Sequence, residues 1–209
     1  MKAPGVAHTR SIHTPMRSSH GTVIYEKATL GSMAEYRYVS WPEYGNLAEA
    51  LAEKVHSSGK RFDLVIGVAR GGMPVAMVVS DRLNVRIDFI NVKSYVGIGE
   101  RGTPKILSTL TEVIAGKSVL IVDDLVDQGD TMKVVEEYLS GQGPKLLEVA
   151  VLFKKPWTKF EPDYHLEVVD RWVVFPFELS EVNRLRLANR ELSAATAPSL
   201  HIASSLPNV

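Results

Sequence analysis

The chain of 209 residues contains no cysteine. Disulfide bonds and zinc sites with thiolate ligands are therefore excluded. No apolar run approaches the ~20 residues that a membrane-spanning helix needs. Neither sign of charge dominates, because 24 basic residues face 24 acidic ones. We therefore expect a soluble, cytoplasmic protein whose length suits one α/β domain with additional terminal segments.

The charges are distributed unevenly along the chain. Residues 1–32 contain four basic residues and one acidic residue, and residues 183–209 contain three and one. Residues 33–182 contain 17 basic and 22 acidic residues and therefore carry net negative charge. Because phosphate neutralisation dominates the affinity of proteins for nucleic acids, this acidic body argues against a nucleic-acid partner.

Composition and periodicity divide the chain into three segments. Residues 1–32 are rich in Ser, Thr, Pro, Gly and His, and we expect an N-terminal extension that is disordered or not native. Residues 33–182 alternate between apolar strand patterns and amphipathic helix patterns, which indicates one domain. For residues 183–209 we expect a C-terminal tail with a short docking helix over 185–192.

The alternation within residues 33–182 predicts the fold class. A capping-box pattern at Ser40–Glu43 begins a helix that Gly59 ends. Because strands and helices then follow one another on short loops, we predict a mostly parallel central sheet with helices on both faces. The predicted strands are 62–68, 85–92, 119–122, 146–153, 166–169 and 172–175, and the other predicted helices are 73–83 and 132–139.

The stretch Val119–Met132 carries the strongest functional pattern. Four apolar residues indicate a buried strand, and Asp123 and Asp124 stand at its end. A short loop containing Gly129 leads into a helix, and N–H groups at such a helix start suit a phosphate. The adjacent carboxylates suit vicinal hydroxyls or a metal ion shared with the ligand. The stretch therefore predicts a site for a phosphorylated sugar.

Two further segments belong to the same predicted edge of the sheet. Ala69-Arg70-Gly71-Gly72 follows a buried strand and places backbone N–H groups and a guanidinium there. Residues 93–116 lose all periodicity, and Gly97, Gly99, Gly102 and Pro104 interrupt them. An irregular segment of about 20 residues inside a compact domain is typical of a functional lid.

Three other classes of protein also place carboxylates after a buried strand. An ATPase needs a G-x-x-x-x-G-K-[ST] loop, which this sequence lacks. A phospho-acceptor receiver domain has its acidic pair on the first strand, whereas at least two strand–helix units precede Asp123. A dinucleotide site needs G-x-G-x-x-G after the first strand, and Ala-Arg-Gly-Gly does not supply it.

The stretch Val119–Met132 resembles the phosphoribosyl-pyrophosphate (PRPP) motif of type I phosphoribosyltransferases. The resemblance covers roughly residues 34–180 and is nearest to the 6-oxopurine enzymes of the xanthine-guanine and hypoxanthine-guanine kind. It implies the type I fold, which has a mostly parallel sheet, a small hood and a flexible catalytic loop. The other similar segments are the pyrophosphate loop at 70–72, the strand entering the catalytic loop at 88–95, and the purine-contacting segments 155–156 and 170–173.

The resemblance implies how the sugar phosphate is held. Asp123 and Asp124 would bind the ribose hydroxyls directly or through Mg²⁺, for which carboxylates are suitable ligands. The backbone of residues 127–131, with the Thr131 hydroxyl, would surround the 5-phosphate. The full set implied to bind PRPP is Arg70, Gly71, Gly72, Lys93, Ser94, Asp123, Asp124, Asp127, Gln128, Gly129, Asp130 and Thr131.

Four residues are implied in the chemical step. Asp127 occupies the position of the general base toward purine N7. Arg70 and Lys93 would neutralise the pyrophosphate leaving group. Tyr95, together with Ser94, would lead the closure of the lid that keeps water from the activated sugar.

Three residues are implied in binding the purine. Lys155 can donate to a 6-oxo group and would be misplaced against a 6-amino group, so adenine is disfavoured. Trp172 would stack on the base, and the Val173 backbone would meet its 2-position edge.

Two residues depart from the family pattern, and one backbone feature is expected from it. Gln128 stands where a small hydroxyl residue is usual. Asp130 adds negative charge beside the phosphate and is tolerable only if its side chain points outward. The 6-oxopurine enzymes also have a non-proline cis peptide bond before their pyrophosphate loop, and we predict one at Ala69–Arg70.

The implied function is transfer of the 5-phosphoribosyl group of PRPP to N9 of guanine, xanthine or hypoxanthine, a step of purine salvage. Two alternatives stay open: a transferase for another base, or a PRPP-binding regulator without catalysis. The expected cofactor is Mg²⁺, and the expected partners are PRPP and a purine base, without nucleic acid or membrane. The resemblance implies a homodimer or homotetramer.

Overall fold

The computed structural model describes residues 36–94, 104–180 and 182–184. The predicted extension over 1–32, the lid residue Tyr95 and the predicted helix over 185–192 lie outside these residues. In the described part of the chain, no helix is both long and apolar enough to cross a membrane.

The described elements alternate as the sequence predicts. The helices are α1 Trp41–Ser57, α2 Gly72–Leu83 and α3 Asp130–Ser140. The strands are β1 Tyr36–Tyr38, β2 Leu64–Ala69, β3 Arg86–Ser94, β4 Pro104–Ile106, β5 Ser118–Val126, β6 Leu146–Lys154, β7 Tyr164–Val168 and β8 Trp172–Val174.

The central sheet has the strand order β4-β3-β2-β5-β6-β7. Its five longer members run parallel to their neighbours, and only β4 is antiparallel to β3. The mostly parallel sheet of the prediction is therefore confirmed. Strands β1 and β8 form a separate parallel pair, which we call the hood.

Alternate residues of the central strands supply two apolar cores, one on each face of the sheet. On one face, Val65 and Leu120 pack with α1 and α2 residues such as Leu51 and Val79. On the other face, Ile66 and Ile121 belong to a cluster that includes the α3 residues Met132, Val135 and Leu139. The two layers of helices hold the carboxyl ends of β2 and β5 side by side.

The start of α1 shows how the hood is attached to the domain. Ser40 caps the helix, because its Oγ accepts a hydrogen bond of 3.3 Å from the Glu43 N–H. The Glu43 carboxylate pairs with Arg37 of β1 at 2.5 Å, which ties the hood strand to the first turn. The predicted helix start is confirmed, and Gly59, with φ of 72°, follows the helix end.

The prediction of an irregular segment over residues 93–116 is wrong for residues 93–94 and 104–106, which belong to strands β3 and β4, whereas residues 107–116 contain neither helix nor strand. Residues 104–106 pair with β3 as β4, and Ile114 is buried. The buried Asp88 carboxylate accepts hydrogen bonds from the N–H groups of Thr111 and Glu112, at 2.7 and 3.0 Å. Hydrogen bonds to Asp88 on the neighbouring strand β3, rather than local periodicity, hold this segment in place. Residues 95–103 are outside the described part.

The acidic pair also lies differently from the prediction. Strand β5 continues to Val126, so Asp123 and Asp124 belong to the strand instead of following it. The register of β5 against β6 continues through Asp123 to Val126, and this pairing explains the extension. Helix α3 begins at Asp130, two residues earlier than the periodicity indicates.

Candidate active site

The loop after β2 packs directly on β5. The Ala69–Arg70 peptide bond is cis, as predicted. A side chain at Gly71 would overlap the Asp124 carboxylate, and a Cβ at Gly72 would lie 2.5 Å from the Val122 carbonyl oxygen. Both glycines are therefore required by the close approach of the two strand ends. The Arg70 side chain is exposed, and its carbonyl accepts from the Met73 N–H at 3.1 Å.

The paired carboxylates are held in an environment that disfavours their charge. Asp123 is 9% exposed, and its Oδ1 accepts from the Asp124 N–H at 2.9 Å. Burial raises the pKa of Asp123 to about 7. Burial and the neighbouring Asp123 and Glu178 charges raise the pKa of Asp124 well above its usual range. A cation or hydroxyl donors would stabilise the charged form of the buried carboxylates, so the pair suits either ligand.

The predicted phosphate loop has the geometry that its glycine indicates. Gly129 has φ of 96°, and a Cβ there would lie 2.5 Å from the Cβ of Phe160. The loop leads straight into α3, whose first N–H groups lie at its start. Gln128 and Thr131 are half-buried, and Asp130 is exposed, as the outward orientation requires.

The predicted leaving-group residues lie near the ends of adjacent strands, Arg70 in the loop after β2 and Lys93 in β3. Ala69, the last residue of β2, pairs with Asn91 of β3. Lys93 is two residues further along β3 and is therefore level with the loop that begins at Arg70. Lys93 is exposed and pairs in register with Lys105 of β4. Ser94 is the last residue of β3, and Tyr95 lies outside the described residues.

The predicted purine-contacting residues come together at the other side of the acidic strand. Lys155 is only 5% exposed, and its Nζ donates to the Arg171 carbonyl oxygen, next to Trp172. Burial lowers the pKa of Lys155. The Trp172 side chain is 37% exposed and can receive a base, whereas Val173 is buried and offers only its backbone. Phe175 is buried among the core aromatics.

Sequence reasoning missed one residue of this region. The indole Nε1 of Trp157 donates a hydrogen bond of 2.8 Å to Oδ1 of Asp127, the predicted general base. Thirty positions separate the two residues, so no local pattern could indicate the contact. The only signal was the position of Trp157 two residues after Lys155.

The chain matches one family over most of the region described. Residues 37–183 match the phosphoribosyl transferase domain family. The xanthine-guanine phosphoribosyltransferase of Idiomarina loihiensis is 33% identical over 144 residues, covering 68% of this chain and 86% of the relative. That of Gluconobacter oxydans is 35% identical over 149 residues, covering 68% and 84%.

A solved structure agrees with the sequence relatives. The purine phosphoribosyltransferase of Pyrococcus horikoshii superposes with a TM-score of 0.62 at 36% identity, and the match covers 69% of this chain and 94% of that one. The family match over residues 37–183 includes the strands and loops that form the site above. The chain belongs to the phosphoribosyltransferase family.

Proposed function

We propose that the protein transfers the 5-phosphoribosyl group of PRPP to N9 of a 6-oxopurine (guanine, xanthine or hypoxanthine) and releases pyrophosphate. The observation that carries the proposal is the contact between the loop after β2 and the carboxyl end of β5. The Arg70-Gly71-Gly72 loop lies on the Asp123–Asp124 carboxylates. The proposed anion site is therefore directly adjacent to the proposed site for a diol or a metal ion. PRPP carries a pyrophosphate and two ribose hydroxyls a few atoms apart. The names of the relatives support the same chemistry.

Asp123 and Asp124 are the residues that would hold Mg²⁺, directly or through water. Their oxygens are hard donors of the kind that Mg²⁺ prefers, and because burial raises the pKa of both carboxyls, a bound cation would stabilise their charged form. Among the described residues, no group of three or more acidic or histidine side chains forms a metal cage. When bound there, the ion would supply charge neutralisation for the pyrophosphate leaving group.

Different residues of the site act on different parts of the reaction. As the C1–O bond breaks, its electron pair leaves with pyrophosphate, whose added charge Arg70 and Lys93 stabilise. The N9 lone pair forms the new bond to C1. The proton on N7 passes to the Asp127 carboxylate, which leaves a neutral purine in the nucleoside monophosphate. The phosphate loop from Asp127 to Thr131 keeps the sugar in place during the displacement.

Lys155 supplies the selectivity for a 6-oxo group. One of its three N–H donors is directed to the carbonyl of Arg171, the residue before Trp172, and this bond fixes the position of the ammonium. A 6-oxo acceptor satisfies a second donor, whereas a 6-amino group would place donor against donor in a buried site. We assign the reaction to purine salvage in the cytoplasm and expect a homodimer or homotetramer, which light scattering can measure.

Product analysis tests the proposal. The protein is incubated with PRPP and Mg²⁺ and, in turn, guanine, xanthine, hypoxanthine, adenine and uracil. We expect nucleoside monophosphates from one or more of the three 6-oxopurines and none from adenine. Turnover of adenine or uracil alone would contradict the assignment of Lys155. PRPP binding without turnover of any base would favour a regulator.

A further inference from the structure

Trp157 touches the proposed general base through the only polar atom of its side chain. Its Nε1–H donates to Oδ1 of Asp127 at 2.8 Å. An indole N–H can donate but cannot accept, so it suits a carboxylate and fixes one of its two oxygens. The other oxygen remains to accept a proton.

The backbone around Trp157 is bonded to the loop that carries Asp127. The Lys155 N–H donates to the Val126 carbonyl at 2.9 Å, and the Lys159 N–H donates to the Gln128 carbonyl at 3.2 Å. Thr158 N–H closes a turn on the Lys155 carbonyl at 3.2 Å. Segment 155–159 and the phosphate loop are thus joined on both sides of the indole, which holds Trp157 at a fixed distance from Asp127.

The indole also borders the residue proposed to read the purine. The Lys155 Nζ lies 5.4 Å from the centre of the Trp157 ring, within the range of a cation–π interaction. Trp157 is 46% exposed. One ring therefore lies next to both the predicted proton acceptor and the predicted 6-oxo donor.

We propose that Trp157 is a positioning residue that holds one oxygen of Asp127, so that the other oxygen meets the N7 proton of the bound purine. The proposal rests on the proposed function, because it requires Asp127 to accept that proton. It predicts a loss mainly in the chemical step, since Trp157 bonds to the Asp127 carboxylate, whereas the backbone N–H groups of the loop are the groups proposed to hold the phosphate of PRPP.

Steady-state kinetics of Trp157→Phe test this role. The substitution keeps the aromatic ring and removes the donor. We expect kcat to fall about tenfold, as for the loss of one hydrogen bond to a charged group, with KM for PRPP within about twofold. In an Asp127→Asn background the same substitution should change kcat by less than about twofold. Trp41→Phe is the matched control and should leave kcat unchanged.

A second measurement tests the contact without relying on turnover. The chain has three tryptophans, so a ¹H–¹⁵N spectrum shows three indole signals, and the Trp157 signal is the one lost in Trp157→Phe. It should shift in Asp127→Ala, which removes the acceptor, and stay in place in Glu161→Gln, which changes an acid of the same region that pairs with Lys154.

The outcomes separate this role from the proposed function. Unchanged kcat in Trp157→Phe with normal wild-type turnover would overturn the role alone. So would an equal loss in the Asp127→Asn background, a rise confined to the KM of the purine, or an unmoved indole signal in Asp127→Ala. Absence of turnover in the wild type would overturn the proposed function and this role with it.

Discussion

The Asp124 carboxylate fills the space next to the Cα of Gly71, so that a Cβ on Gly71 would overlap it. The contact joins the end of β2 to the end of β5, which are neighbours in the sheet. The predicted pyrophosphate loop and the predicted sugar-binding acids are therefore one packed unit. A displacement of either one moves the other.

Gly71→Ala tests this unit. Because the added methyl group must displace either the loop or the carboxylate, we expect kcat/KM for PRPP to fall on the order of 100-fold. Gly45→Ala is the control, since a Cβ at Gly45 in α1 meets nothing within 4 Å. It should leave kcat/KM unchanged and raise stability by about 1 kcal/mol, as expected for alanine in a helix interior. Equal kcat/KM in both variants would contradict the packing.

The acidic pair predicts a pH dependence of stability. Burial raises the pKa of Asp123 from 3.8 to about 7, so the folded protein binds this proton more tightly than the unfolded chain. Its stabilising contribution is complete below about pH 4 and is lost as pH rises through about 7. The free protein should therefore have a higher Tm at about pH 5.5 than at about pH 8.5.

The variant Asp123→Asn/Asp124→Asn identifies the source of that dependence. Amides do not titrate, so the Tm of the variant should change less between the two pH values than the Tm of the wild type. Differential scanning calorimetry without ligand measures both. An identical pH dependence in the two proteins would show that other groups cause it.

Lys155 and Lys154 form a natural pair of test and control. Lys155 is buried and donates to the Arg171 carbonyl, whereas Lys154 forms an ion pair with Glu161 at 2.5 Å near the surface. Lys155→Gln should raise KM for the 6-oxopurine about tenfold or more, because a charged donor is lost from a buried site. Lys154→Gln should change it by less than about twofold. Similar KM values for the two variants would remove Lys155 from the purine site.

Asp127→Asn tests the proton acceptor. An amide cannot take a proton at neutral pH, so we expect kcat to fall by roughly 10²- to 10⁴-fold. Affinity for PRPP, measured by calorimetry, should stay within a few-fold, because the backbone of the loop holds the phosphate. Unchanged kcat would remove Asp127 as the general base.

Much of the fold followed from local patterns. The buried strands, the Gly-containing loops and the capped start of α1 are properties of short segments, and the structure has them near the predicted positions. The order of segment 104–116 did not follow, because it depends on the Asp88 carboxylate of another strand. The contacts of Trp157 with Asp127 and of Phe160 with Gly129 likewise join residues about 30 positions apart, and residue type alone does not indicate such contacts.

The stoichiometry of a reaction with guanine, PRPP and Mg²⁺ tests the central claim most directly. Pyrophosphate and guanosine monophosphate are measured together, with and without guanine. We predict that the two products appear in equal amounts and that pyrophosphate release depends on the purine. Pyrophosphate release without guanine would indicate hydrolysis of PRPP, and PRPP binding without either product would indicate a regulator; both results would contradict the account.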